Sequence, residues 1–85
     1  MKIRQIELPK DGVPKLVITP VVKFMTIKAN RGKIWLYLLE DEDNKPTRKF
    51  YFAPFSTEMN DPAKWDYFES VNFDGRVIHY FVMQG

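Results

Sequence analysis

Apolar and polar residues alternate along most of this chain with the two-residue period of β-strands, and no long segment keeps the 3.6-residue period of a helix. Prolines, glycines and short polar stretches divide the pattern into blocks. We predict seven strands, at residues 2–8, 15–19, 21–29, 33–40, 47–53, 67–73 and 76–82. Short strands separated by turns are typical of a mainly β fold, here a small antiparallel β-sandwich or partly open barrel of about six to seven strands.

Two turn sequences predict hairpins. The segment Asn30–Gly32 predicts a three-residue loop whose glycine takes the left-handed conformation, and it joins the third and fourth strands. Asp74–Gly75 is a strong signal for a two-residue turn, so the chain is expected to end in a tight hairpin. Residues 61–64 are the one place that favours a helix, and they suit no more than a single turn.

The fourth strand is apolar on both faces. Ile34, Leu36 and Leu38 point to one side, whereas Trp35 and its alternate neighbours point to the other. Strands of this kind are usually covered on both sides, so we expect this strand to be central in its sheet.

Length and composition limit the chain to one domain, residues 1–85, because 85 residues cannot build two hydrophobic cores. Apolar residues make up 45% of the chain and aromatic residues 15%, which is enough to fold without disulfides. There is no cysteine, so disulfides, zinc–thiolate sites and a thiol nucleophile are excluded. The start lacks a signal-peptide pattern and the longest apolar run, Ile34–Leu39, is too short to span a bilayer, so we expect a cytoplasmic protein without membrane contact.

Charge is unevenly distributed along the chain although the net charge is only +2. Residues 1–33 contain eight Lys or Arg and two acids, whereas residues 34–85 contain five Lys or Arg and nine acids. Strand order decides whether these charges form two surface patches of opposite sign. A dedicated nucleic-acid-binding domain would usually be more basic than this.

One pair of residues resembles a nucleophile and its base. Counting outward from Asp74–Gly75 places Ser70 opposite His79 and Tyr67 opposite Val82, and cross-strand neighbours come within hydrogen-bonding reach. No carboxylate is expected on the same face to orient the imidazole, and no glycine-rich elbow exposes the serine. We therefore expect no enzyme activity. Instead of a catalytic pair, we expect a half-buried histidine that is hydrogen-bonded to a neighbouring hydroxyl.

An acidic segment at residues 40–44 resembles the start of a calcium-binding loop. The likeness stops where the loop needs glycine and a final glutamate, because Pro46 and Phe52 occupy those positions. With one histidine and no cysteine, the chain offers few ligands for a transition metal. We expect a solvated acidic turn, no metal and no cofactor.

Ten residues are the candidates for a binding surface. Cations alternating with aromatic residues can stack bases or hold phosphates, although a sheet with one solvated face has the same pattern. Exposed aromatic and thioether side chains in a loop can form a protein contact. The candidates are Lys23, Lys28, Arg31, Lys33, Trp35, Tyr37, Arg48, Phe55, Met59 and His79.

Several segments together resemble a family of short, uncharacterised phage and prophage proteins. The resemblance covers most of the chain and is carried by strand and turn residues: Pro20, Lys23-Phe24-Met25, Gly32, Leu36-Tyr37-Leu38-Leu39-Glu40-Asp41, Arg48-Lys49-Phe50, Tyr67, Gly75 and Ile78-His79-Tyr80-Phe81. That family has no established activity. The resemblance implies a small phage-encoded accessory protein that blocks or sequesters a host component.

The sequence thus predicts a non-enzymatic binding protein whose partner is a host protein or a component of an anti-phage defence. One alternative is a protein that sequesters a small anionic ligand or a signalling nucleotide in a basic and aromatic pocket. A second is a non-specific binder of nucleic acid, with an affinity that falls steeply with salt. Edge strands in so small a sheet also predict a homodimer.

Overall fold

The computed structural model describes residues 1–11, 13–54 and 62–85. In this part of the chain it confirms a mainly β fold with seven strands. They are β1 (Lys2–Leu8), β2 (Lys15–Thr19), β3 (Val21–Asn30), β4 (Lys33–Glu40), β5 (Arg48–Pro54), β6 (Asp66–Phe73) and β7 (Arg76–Gln84). A single 3₁₀ turn at Pro62–Lys64 occupies the place where one helical turn was predicted.

The strands form two antiparallel sheets that do not close into a barrel. The three-stranded sheet has the order β1-β4-β3, and the four-stranded sheet has the order β2-β5-β7-β6. Strands β2 and β3 are separated only by Pro20, so one extended segment passes from the second sheet to the first. Proline interrupts backbone pairing at this point because it lacks an N–H, and the N–H of Asp41 donates to the Pro20 carbonyl at 3.0 Å.

The hydrophobic core lies between the two sheets. Ile34, Leu36 and Leu38 of β4 are fully buried and point into it. A cluster of four aromatic rings, one from β3 beside them and three from the opposite sheet, contacts edge to face with centroids 4.8 to 6.2 Å apart, a favoured geometry for aromatic pairs. These rings belong to Phe24, Phe50, Phe52 and Phe68.

The structure corrects one prediction about β4. The strand is central in its sheet, as expected, but its second face is half-buried and not covered. Trp35, Tyr37 and Leu39 lie on this outward face. In β4 the apolar pattern on both faces therefore corresponds to one core face and one half-buried outward face.

Two β-bulges change the periodicity of β3. Val22 and Met25 have no partner on β4, so the inward residues Val21, Phe24 and Ile27 are spaced by three instead of two. Each bulge inserts one extra residue and turns the strand relative to its neighbour. Because of the first bulge, Val21 and Phe24 both point into the core although they are three residues apart.

A third bulge corrects the predicted register of the last hairpin. Ser70 lies opposite His79 as predicted, but Tyr67 lies opposite Phe81 and not Val82. Phe68 is the extra residue, and its ring packs inside against the aromatic cluster. The bulge therefore rotates Tyr67 onto the outward face.

The first hairpin turn is shorter than predicted. Asn30 pairs with Lys33 within the sheet, so the loop contains two residues, Arg31 and Gly32. Both residues have positive φ, 54° and 73°, the combination that a two-residue turn between right-twisted strands requires. The prediction of a three-residue loop was wrong because Arg31, like Gly32, adopts the left-handed conformation.

One carboxylate lies buried at the end of β4. Glu40 is 1% exposed, and it accepts hydrogen bonds from the Thr19 hydroxyl at 2.7 Å and from the Arg4 guanidinium at 3.0 Å. Burial acts to raise the pKa of Glu40, but the two hydrogen bonds and the charges of Arg4 and Lys2 outweigh it, so the pKa is lowered. Glu40 is therefore ionised at neutral pH and ties β1, β2 and β4 together.

A second carboxylate joins the two sheets on the far side. Glu69 of β6 accepts hydrogen bonds from the hydroxyl of Thr26 and from the backbone N–H of Ile27, both at 2.6 Å. Both donors belong to β3, so the side chain satisfies a backbone group on that strand's free edge. Glu69 thereby takes the place of a hydrogen-bonded strand pair between β3 and β6.

Replacing Glu69 with alanine should lower the free energy of unfolding by about 1–3 kcal/mol, because the Ile27 N–H loses a charged acceptor. Urea unfolding would measure the loss, and the Ile27 amide should exchange with solvent faster. Glu69→Gln, which keeps an acceptor oxygen, is the matched control and should cost less. Equal midpoints for Glu69→Ala and the wild type would show that this bridge contributes nothing.

The remaining free edges differ in regularity. β1 pairs on one side only and runs for seven residues without a register shift. β2 is a short edge strand that lies between Pro14 and Pro20. The homodimer predicted from the edge strands stays a prediction, with β1 as the more regular edge. No helix in the described residues is long and apolar enough to cross a membrane.

Candidate functional site

The predicted Ser70–His79 pair is formed on the outward face of the four-stranded sheet. The Ser70 hydroxyl lies 2.5 Å from Nδ1 of His79, and the Tyr67 hydroxyl lies 2.6 Å from the same serine oxygen. All three side chains reach solvent. The arrangement is a hydrogen-bonded row across β6 and β7.

Nucleophilic catalysis needs more than this pair provides. An oxyanion hole requires convergent N–H donors, which a sharp turn at the nucleophile usually supplies. Ser70 instead lies within β6, opposite a residue of β7 in a regular ladder. The geometry fits a polar group on a contact surface, and the prediction that the protein is not an enzyme stays a prediction.

The acidic segment after β4 forms a local turn. The carboxylate of Asp41 accepts hydrogen bonds from the backbone N–H groups of Asp43 at 3.3 Å and Asn44 at 3.2 Å. Glu42 forms an exposed ion pair with Lys2 at 2.6 Å. Within the described residues, no three His, Cys, Asp or Glu side chains are grouped so as to hold a metal ion.

Five of the predicted binding residues share the outward face of the three-stranded sheet, which we name the cationic face. In the sheet register, Lys23 lies beside Leu39 and Lys28 lies beside Trp35. The cationic face consists of Ile3, Gln5, Glu7, Lys23, Lys28, Lys33, Trp35, Tyr37 and Leu39. Glu7 is its one acid, and Trp35, Tyr37 and Leu39 are half-buried.

Lys33 connects the charges and rings of the cationic face. Its ammonium lies 5.9 Å from the centre of the Trp35 ring and 3.8 Å from the Glu7 carboxylate. The Trp35 indole N–H donates to the carbonyl of Asn30 at 3.3 Å. These contacts hold the indole ring in one orientation on the sheet.

The other predicted residues do not join this face. Arg31 lies at the tip of the turn between β3 and β4. Arg48 is on the four-stranded sheet, 5.3 Å from the centre of the Phe50 ring, and His79 is on the outward side of that sheet. Phe55 and Met59 lie outside the described residues.

Two cavities in the described part of the chain have volumes of about 180 and 250 Å³. Sites for small molecules usually measure about 300–1,000 Å³. The first is lined by Met1, Lys2, Glu40, Glu42 and Asp43, and the second by Glu7, Leu8, Pro9, Val13, Pro14 and Lys15. Neither of these two cavities includes a residue from the predicted basic and aromatic set.

The outward face of the four-stranded sheet, which we name the apolar face, was not predicted as a binding surface. Tyr67 and Val77 are each 58% exposed, Ile18 is 50% exposed and Leu16 is 42% exposed. The apolar face consists of Leu16, Ile18, Lys49, Tyr51, Tyr67, Ser70, Asn72, Val77, His79, Phe81 and Met83; the register also places Ala53 on this side, but Ala53 is fully buried. Lys49 is its one permanently charged residue.

One sequence signal could have revealed the apolar face. Strand β7 carries apolar residues at both parities, with Val77, Phe81 and Met83 alternating with Ile78 and other inward residues. This is the pattern that marks β4, where the second apolar face also points outward and is half-buried. The pairing of β6 with β7 alone does not determine which face of the hairpin packs against the core.

Comparisons with protein families, with curated proteins and with solved structures find no match to this chain.

Proposed function

We propose that this protein acts by binding another protein through the apolar face. The supporting observation is the exposure of Leu16, Ile18, Tyr67 and Val77 on one side of a sheet with a single permanent charge. Scattered exposed apolar residues are ordinary, but a contiguous set usually marks a contact surface. Aromatic and methionine side chains with few charges are typical of the centre of a protein interface.

The size of the apolar face suits the centre of such a contact. Four strands spaced about 4.8 Å apart and about five residues long cover roughly 300 Å². A standard interface buries about 800 Å² on each partner. The apolar face would therefore supply the desolvated centre, and adjacent turns would supply the rim.

The chemistry of the apolar face favours a different protein over a second copy. Lys49 lies within it, beside Ile18, and needs an acid on the opposing surface. The described residues of the apolar face include no carboxylate, so two copies packed face to face would leave both lysines unpaired. The partner we expect presents an apolar surface with an acidic residue near one side.

The biological role we propose is antagonism of a host or anti-phage defence protein by direct binding. The resemblance to short phage and prophage proteins supports this role. An apolar sheet face suits the obstruction of a protein surface better than the turnover of a substrate.

Replacing Val77 with lysine should reduce partner capture at least tenfold, because an unpaired charge would enter the interface. The experiment is affinity capture from a bacterial lysate, with quantitative mass spectrometry of the bound proteins. Ile3→Lys, the same kind of substitution at an equally exposed apolar residue of the cationic face, is the matched control. A photo-crosslinker at position 77 should join the same partner, whereas one at position 28 should not.

Two outcomes would contradict the proposal. Capture that is the same for Val77→Lys and the wild type would exclude the apolar face. A doubled native mass that Val77→Lys reduces to a single chain would assign that face to a second copy. Mass spectrometry of small molecules in the same samples tests the sequestration alternative.

A further inference from the structure

We infer that the cationic face is a second, separate binding site, and that it takes single-stranded nucleic acid. The central observation is the placement of Trp35 and Tyr37 on one side of β4, with Lys23 and Lys28 on the adjacent strand. Aromatic rings that stack bases beside cations that contact phosphates are the elements of single-strand recognition. The apolar face takes no part in this site.

The sheet register determines the geometry of the site. Trp35 and Tyr37 are two residues apart on one strand, so their positions are about 6.7 Å apart along the sheet. Lys28 is directly opposite Trp35 on β3, and Lys23 is opposite Leu39, one alternate position beyond Tyr37. The lysines therefore form a row parallel to the aromatic row, about 4.8 Å to one side. An extended strand can place bases on the rings and its phosphates along β3.

The charges on the cationic face favour an anionic polymer. Lys23 and Lys28 are exposed, and Arg31 projects at the end of the same sheet. Glu7 is on the opposite strand, β1, where it pairs with Lys33 at 3.8 Å. On β3 the two lysines of the face flank Thr26. The Glu69 carboxylate at the free edge of β3 accepts hydrogen bonds from the Thr26 hydroxyl and the Ile27 N–H, and Glu7 lies on the far side of the aromatic row.

Other anionic partners fit the cationic face less well. An acidic peptide could pair with the lysines but offers no flat ring for Trp35 and Tyr37. A lipid surface would need apolar side chains that project beyond the lysines, whereas the rings here are half-buried within the sheet. A duplex hides its bases from a flat surface, because readout requires an element that enters a groove.

The test is fluorescence anisotropy with labelled oligonucleotides dT12 and rU12. With about three phosphate contacts, affinity should fall roughly 20-fold between 50 and 200 mM salt. Trp35→Ala should weaken binding by roughly 5- to 150-fold, the range for loss of one stacked base. In a Trp65→Phe background, the emission of Trp35 should be quenched on binding.

A pair of double variants separates the cationic face from net charge. Lys23→Gln with Lys28→Gln should weaken binding and flatten the salt dependence by about 1.4 in the logarithmic slope. Lys15→Gln with Lys49→Gln removes the same charge from the other sheet and should leave binding unchanged.

Equal losses in the two double variants, or no binding at 50 mM salt, would overturn the inference. The inference would also be overturned if phosphatidylserine vesicles or polyglutamate bound with the same affinity as the oligonucleotides and Trp35→Ala left that affinity unchanged. Val77→Lys should bind oligonucleotides normally, so failure of this site and failure of the proposed protein contact can be told apart.

Discussion

Replacing Phe52 with alanine should lower the free energy of unfolding by about 3–5 kcal/mol, the usual cost of deleting a buried aromatic ring. The side chain is fully buried and contacts the rings of Phe24 and Phe68 at centroid distances of 5.1 and 5.5 Å. Whole domains are stable by only about 5–15 kcal/mol, so the variant should be close to unfolding. Urea unfolding followed by tryptophan fluorescence would measure the difference.

Two further substitutions make the Phe52 result interpretable. Phe52→Leu keeps part of the volume and should cost less than alanine, because a smaller cavity remains. Val77→Thr changes an exposed strand residue of similar shape and should shift stability by no more than about 0.5 kcal/mol. A loss below about 1 kcal/mol for Phe52→Ala would show that the ring cluster does not hold the two sheets together.

Replacing Glu40 with alanine should cost about 2–4 kcal/mol. The substitution leaves the fully buried Thr19 hydroxyl without its acceptor and opens a cavity at the junction of three strands. Arg4 also loses its partner, but its side chain is exposed enough for water to replace the interaction. Urea unfolding at neutral pH would measure the loss, and Glu42→Ala, which breaks an exposed ion pair, should cost less than about 1 kcal/mol.

The Glu40 carboxylate should also make stability depend on pH. Its pKa is lowered in the folded protein, so folding favours the ionised form. This contribution is fully present above the ordinary glutamate pKa of 4.5 and is lost as the pH falls through the lower pKa of the folded state. Wild-type protein should therefore lose more stability between pH 5 and pH 3 than Glu40→Gln does. Parallel losses in the two proteins would contradict the assignment.

Local sequence signals were sufficient for the strands and most turns. Alternating apolar residues and terminal prolines placed all seven strands to within two residues at each end. Asp74–Gly75 formed the predicted two-residue turn, since both residues adopt the positive φ that it requires. These features depend on backbone preferences of neighbouring residues, which the sequence contains directly.

The candidate sites were only partly predictable. The sequence grouped Lys23, Lys28, Trp35 and Tyr37, and the register places them on one face. The same reasoning missed the apolar face, because it could not tell which apolar side of β7 meets the core. It also read the acidic segment as wholly solvated, whereas Glu40 at its start is buried. A carboxylate becomes a core residue only when distant partners, here Thr19 and Arg4, complete its hydrogen bonds.

The sequence alone determined the β class, the number of strands, the final hairpin and the central position of β4. These depend on a period of two residues and on turn chemistry, which act over a few neighbouring positions. Only the tertiary structure decided the division into two sheets, the bulges at Val22, Met25 and Phe68, and the burial of Glu40. Each of these results from contacts between residues far apart in the chain, where packing outweighs local preference.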